Sequence, residues 1–206
     1  MRKTLLMLAV LAGAAFGLAS CAQAKTQDKE DKQMKANKTL VVFYSRAGEN
    51  YSVGNVKVGN TQVLAELIAA QTGADTFQVK PTKAYPDDYT ECTEVSKKEL
   101  ESKARPDIVA DFPIDDYDTI FIGYPIWWGD APMPLYTFIE KHSWQGKTVI
   151  PFCTHEGSGY CNEAEITEAC KGATVLQGLG MYGHTAQNDR SSALKTVQKW
   201  LKGLNL

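Results

Sequence analysis

The chain has 206 residues, 44% of them hydrophobic and 22% charged, with 22 Lys and Arg against 24 Asp and Glu. That near balance, with no basic stripe, excludes a nucleic-acid partner, and it is too mild for a strongly acidic docking face. Besides Cys21 there are four cysteines, Cys92, Cys153, Cys161 and Cys170, and no CxxC pair, which argues against a zinc site or a thioredoxin-type centre.

Residues 1–20 read as a secretory leader. Arg2 and Lys3 give the positive start, Leu5 to Leu18 the apolar run, and Leu18-Ala19-Ser20-Cys21 the small-residue close. The run is too short to span a membrane comfortably. The last four residues resemble the lipobox of bacterial lipoproteins, which implies cleavage before Cys21, a lipid on its sulfur, and anchoring in the bacterial cell envelope. Arg2-Lys3 is not a twin arginine, so export would use the unfolded-chain route. Loss of Arg2 and Lys3 with the leader lowers the net charge from -2 to about -4. An exported chain can form disulfides, and Cys153 with Cys161, or Cys161 with Cys170, are candidate pairs. Residues 21–38 are polar, rich in Lys, Asp and Gln, and lack an apolar period; they read as a flexible tether. The folded domain spans 39–206, one domain large enough for a core without staples.

Within it, Leu40 to Tyr44 is a continuous apolar run, the pattern of a strand buried on both faces. Thr61 to Gln71 carries Val63, Leu64, Leu67 and Ile68 at helical spacing and closes at Gly73. Thr76 to Val79 reads as a second strand. Asp87 to Lys103 reads as a charged surface helix with Tyr89, Cys92, Val95 and Leu100 on its apolar side, ended by Pro106. Thr119 to Tyr124 is a third strand, followed by a helix bearing Leu135, Phe138 and Ile139. Lys147 to Cys153 is a fourth strand in which Pro151 is unusual for a central position. Ile166, Ala169 and Cys170 mark another helix, Thr174 to Gln177 a short fifth strand, and Leu194, Val197 and Leu201 the last helix. Strands alternating with helices predict an α/β domain with a five-stranded parallel sheet and helices on both faces. Ligands of such folds lie beyond the carboxyl ends of the strands.

Three loops leave those ends with ligand-type residues. The first holds Ser45, Arg46, Ala47 and Gly48, and its helix opens at Asn60-Thr61. Hydroxyls and free amides at a helix start suit an anion, although Asn60 or Thr61 could equally serve as a helix cap. GxGxxG and GxxxxGK[ST] are absent, which argues against NAD by that route and against ATP. The second loop holds Pro125, Ile126, Trp127, Trp128 and Gly129. Paired indoles at a strand end suit a flat ligand, or else simple core packing. The third holds Thr154, His155, Glu156, Gly157, Ser158 and Gly159, whose glycines permit close backbone approach to a polar ring edge. His155-Glu156 reads first as a solvated turn; a metal site with His184 would need more ligands. An anion site, flat aromatics and backbone amides together fit a phosphorylated heterocycle, with FMN the natural candidate.

The motifs YSRAG, GYPIWWG and FCTHEGSG, over Leu40 to Leu204, resemble the flavodoxin family, nearest its flavodoxin-like lipoprotein branch. The resemblance implies a flavodoxin-like three-layer sandwich with strand order 2-1-3-4-5 and one FMN at the sheet's carboxyl edge. By position, Ser45, Arg46, Ala47, Asn60 and Thr61 would hold the phosphate, Pro125 to Gly129 would face the isoalloxazine, and Thr154 to Gly159 would line its pyrimidine edge. One departure is the insertion Glu49 to Val58, where Asn50 to Val58 reads as a hairpin turning at Gly54-Asn55. The implied function is electron transfer, as a membrane-anchored redox carrier or an FMN-dependent reductase of a quinone or similar acceptor. The redox partner is not readable from the sequence. The alternative is a non-redox protein holding FMN or another aromatic phosphate on the same fold. His155, if protonated near the flavin, would favour reduction.

Overall fold

A computed structural model describes residues 38–159, 161 and 163–204; Cys21, the expected leader and the expected tether as far as residue 37 lie outside the described residues. The central sheet is built on β1 (Thr39–Tyr44), β4 (Asp75–Val79), β5 (Thr119–Pro125), β6 (Thr148–His155), β7 (Thr174–Val175) and β8 (Leu179–Tyr182). Its order is β4-β1-β5-β6-β7, with β8 also on β6, and every pairing is parallel. Counted as parallel strands in chain order this is 2-1-3-4-5, with the fifth strand broken into β7 and β8.

That break explains Pro151. β7 pairs with Thr148 and Val149, and β8 with Phe152 to His155, so Pro151 sits opposite the interruption. Its missing N–H therefore falls where no edge-side ladder is made. β8 and the short helix after it, α5 (Gly183–Asn188), were not predicted. Three glycines between residues 178 and 183 hide any apolar period there.

The apolar run of β1 is explained by burial on both sides. Leu40, Val42 and Tyr44 join one core, Val41 and Phe43 the other. The first core also takes Ile120, Ile122 and Tyr124 of β5, Leu135, Phe138 and Ile139 of α3 (Met133–Ile139), and Ile166 of α4 (Glu163–Ala169). The second takes Val63, Leu64 and Ile68 of α1 (Asn60–Thr72) with Ala193 and Val197 of α6 (Arg190–Leu204). Leu194, expected to face inward, gives place to Ala193. Gly123 leaves room on β5 for the Phe152 ring, which a Cβ would strike.

Helix α2 (Tyr89–Glu101) is capped by Asp88, whose side chain accepts from the Glu91 amide at 2.8 Å. Its buried residues are Cys92 and Ser96, whereas Val95 is exposed. The inward side is thus a small, polar stripe, and that leaves space beneath it. The insertion folds as an antiparallel ribbon of β2 (Gly48–Asn50) and β3 (Gly54–Val56). It turns at residues 51–53, ahead of the expected Gly54-Asn55, with Ser52 at φ 58 and the Val53 amide donating to the Asn50 carbonyl at 3.3 Å. All four described cysteines are free, buried thiols, so neither candidate disulfide is formed.

Candidate functional site

The carboxyl ends of β1, β5 and β6 bring the three loops together. Gly59 precedes α1 and has no side chain with which to cap it. Ser45 does that work from across the loop: its Oγ accepts the Gln62 amide at 3.0 Å. The fit is close, since a Cβ on Gly59 would overlap Ser45 Oγ and the Arg46 carbonyl. Helix geometry leaves the first-turn amides without intrahelical carbonyls, and the dipole makes this end electropositive. Thr61 is buried, and its hydroxyl is shared with Thr154 at 2.7 Å, which ties α1 to the end of β6. Asn60 Oδ1 is buried and has no hydrogen-bond partner among the described residues.

Arg46 turns away from the helix start. Its guanidinium donates to the carbonyls of Glu49 (2.5 Å), Pro86 (2.5 Å) and Asp87 (2.6 Å), clamping the β2–β3 ribbon to the loop before α2. This side chain braces the ribbon, so only its main chain stands with Ser45 beside α1. The ribbon is tied twice more. Glu49 accepts the Tyr89 amide at 3.1 Å, and Tyr51 stacks on Tyr89 with centroids 6.0 Å apart. On the other side Gln187 Nε2 donates to the Val58 carbonyl at 2.6 Å. Ala47 is exposed, and Gly48 opens β2 at φ 88.

After β5, Trp127 and Asp130 exchange backbone hydrogen bonds of 2.8 and 3.0 Å around Trp128 (φ 55) and Gly129 (φ 85). Both central residues are left-handed, as in a type I′ turn. Glycine takes that conformation freely; a tryptophan does so at a cost. Trp128 is held there by its indole N–H, which faces the Thr93 carbonyl (3.1 Å) and Ser96 Oγ (3.2 Å), with Lys97 Nζ 5.2 Å from the ring centroid. Trp127 points inward, edge-on to Tyr44 (5.4 Å) and Tyr85 (5.0 Å). The adjacent indoles thus have different surroundings: Trp127 packs against the core and Trp128 lies on α2.

After β6, His155 is buried and its Nδ1 accepts the Gly157 amide at 3.1 Å. That bond requires an unprotonated Nδ1, and burial, the largest influence, holds the imidazole pKa below its ordinary value. The ring is therefore neutral at neutral pH, in place of the protonated His155 that would favour reduction. Glu156 accepts both the amide (2.8 Å) and ring Nδ1 (2.7 Å) of His184. Tyr182 lies between the two imidazoles, 4.6 Å from His155 and 4.9 Å from His184. Among the described residues no group of three or more His, Cys, Asp or Glu is placed to hold a metal. Gly157, Ser158 and Gly159 are exposed.

A cavity of about 150 Å³ is walled by all three loops, with Asn60, Pro125 to Trp127 and Thr154 to Glu156 on its sides and Asn50 and Tyr51 of the ribbon above. Tyr89 also lines it. Tyr89 was legible only as part of a helix face; the sequence holds no sign that the ribbon would stack on it.

The flavodoxin family model matches residues 38–201. No curated protein matches the chain significantly. Among solved structures, a candidate flavoprotein of Bacteroides eggerthii is 30% identical with a TM-score of 0.65, over 83% of this chain and 99% of its own. A second, from Bacteroides uniformis, is 31% identical with a TM-score of 0.63, over 81% and 99%. A flavoprotein of Lactobacillus acidophilus solved in complex with FMN shares the fold at 22% identity, with a TM-score of 0.56, over 76% and 99%. With its parallel sheet, its loops gathered at the carboxyl edge, and a family match running through nearly all of the described domain, this chain belongs to the flavodoxin family.

Proposed function

We propose that this protein binds FMN at the carboxyl edge of its sheet and transfers electrons, as a membrane-anchored carrier or as a reductase of a quinone or similar acceptor. The observation that carries the reading is the cavity formed jointly by the three loops, with the buried Asn60 Oδ1 left without a donor on its wall. An unsatisfied buried acceptor is costly, and a hydroxyl of a ligand's polyol chain would supply the missing hydrogen bond. The FMN complex of the Lactobacillus acidophilus relative supports the choice of flavin.

The residues fit such a group. The backbone amides of Asn60 and Thr61 at the start of α1, beside the Ser45 that caps Gln62, offer an electropositive seat for a phosphate. Pro125, Ile126 and Trp127 offer an apolar wall, and the backbone of Ser158 and Gly159, beyond the Gly157 amide taken by His155, offers amides to a polar ring edge. Bound flavin would supply the one- and two-electron chemistry; the chain supplies its seat, its orientation and a dry wall. His155, being neutral, brings no positive charge to that pocket.

The reading is tested by titrating the protein with FMN. Saturable quenching of flavin fluorescence and a rise in Tm are expected, with affinity reduced about tenfold, roughly 1.4 kcal/mol, in Asn60→Ala. No quenching and no Tm rise in the unmodified protein would remove the proposal. Export and lipidation at Cys21 belong to the same reading. Labelling of cells with palmitate should mark the protein and fail to mark Cys21→Ala; equal labelling of both would refute the anchor.

A further inference from the structure

A second cavity, of about 350 Å³, lies beside the first. One wall is the small-residue stripe of α2, Cys92, Thr93 and Ser96; the opposite wall is Trp127 and Trp128. Asn50, Tyr89, Ile126 and Trp127 line both cavities, so the two spaces are neighbours across shared side chains. The second cavity includes none of Ser45, Asn60, Thr61 or the loop after β6, which are the residues suited to phosphate and ring edge.

Two features mark this space as more than slack packing. Trp128 is held in a left-handed conformation that places its indole across the α2 stripe, and such strain in a bulky residue persists only where its surroundings enforce it. Arg46 lies on the wall with its guanidinium fixed by three carbonyls, and it makes no ion pair among the described residues. The cavity therefore combines flat indole and phenol surfaces with the fixed Arg46 guanidinium, the Glu49 side chain, and the Thr93 and Ser96 hydroxyls, whose hydrogens already go to the Thr90 (2.7 Å) and Thr93 (3.0 Å) carbonyls. The flat walls suit a planar ring, and the guanidinium, with N–H groups left beyond its three carbonyl bonds, suits a carbonyl oxygen on that ring.

We propose that this cavity, between the α2 stripe and the Trp127-Trp128 turn, is the acceptor site and takes a one- or two-ring quinone beside the flavin. The proposal rests on the FMN reading for its chemistry, but not for the binding itself. A quinone held here would gain two electrons and two protons to become a hydroquinone, and flavin already reduced to its FMNH2 form would supply all four.

The test uses duroquinone, which has no free ring carbon for a thiol to attack. In the FMN-free protein, saturable quenching of tryptophan fluorescence beyond that of N-acetyltryptophanamide is expected. Thr93→Phe fills the cavity while keeping the backbone carbonyl that receives Trp128, and it should weaken duroquinone at least tenfold. FMN affinity of the same variant should stay within twofold of the unmodified protein. A second readout needs no variant: duroquinone should slow iodoacetamide alkylation of Cys92, followed by mass spectrometry, in a saturable way. Quenching that is not saturable, unchanged affinity in a folded Thr93→Phe, or no protection of Cys92 would overturn the proposal. So would loss of duroquinone binding on loading with FMN, which would assign the cavity to the flavin. If the protein bound duroquinone in this Thr93-dependent way but bound no FMN, the site would stand and the flavin reading would fall.

Discussion

The turn after β5 and the loop after β6 leave neighbouring strands, joined at the Pro125–Thr154 pair, yet they are built in opposite ways. The first is closed on itself by two Trp127–Asp130 hydrogen bonds, and its two indoles are fixed by the core and by α2. The second is pinned at its root, by His155 and by the Glu156–His184 contact, and then runs exposed through Gly157, Ser158 and Gly159. One is a rigid wall; the other is a row of backbone amides with little side-chain bulk. A flat ligand needs both, since a wall sets where a ring lies and amides complement its polar edge.

The rigid wall depends most on Trp127. Its indole packs between Tyr44 and Tyr85, so Trp127→Ala should lose about 3 kcal/mol of stability by denaturant titration. FMN affinity should fall with it. A stability change below about 1 kcal/mol would mean the wall is not set by this residue.

Trp128 tests whether the turn carries strain. Trp128→Gly and Trp128→Ala remove the same indole contacts, but only glycine also relieves the positive φ. The glycine variant should therefore be more stable than the alanine variant by about 1 kcal/mol. Equal stabilities would show that the left-handed turn stores nothing.

The smallest effect belongs to the root of the β6 loop. The folded pKa of His155 lies below the ordinary value of about 6.5, chiefly through burial, with His184 pushing it further down and Glu156 opposing. Between those two values the unfolded chain holds a proton that the folded chain does not. Stability from this group is thus complete above about pH 6.5 and is lost as pH falls towards the folded pKa. Thermal unfolding at pH 7.5 and 5.5 should show a larger drop in Tm for the unmodified protein than for His155→Gln. An equal drop in both would take His155 out of the acid response.

What could be read in advance follows from how local each signal is. The buried run Leu40 to Tyr44 and the period of Val63, Leu64 and Ile68 are written in the chain itself, because burial on two faces or on one helical face imposes a pattern. The ribbon was legible as a hairpin but not in its turn position, since Ser52 takes a positive φ without glycine's permission. The broken fifth strand was read only as far as β7. Its second half is defined by pairing with β6 rather than by its own residues.

Local pattern alone is enough for the α/β order, for the strand ends from which the loops spring, and for the residue types those loops carry. Which side chains face one another is settled by packing between elements. Arg46 went to the distant carbonyls of Pro86 and Asp87 as well as to nearby Glu49, Trp127 to two tyrosines and Trp128 to α2, while Asn60 kept a buried oxygen unmet. The physical reason is that secondary structure is set by periodicities a few residues long. The direction of a long side chain at a loop is settled by whichever partner folding brings within hydrogen-bond or van der Waals reach, and the partners of Trp127, Trp128 and the far side of the Arg46 clamp are 32 to 83 residues away in the chain.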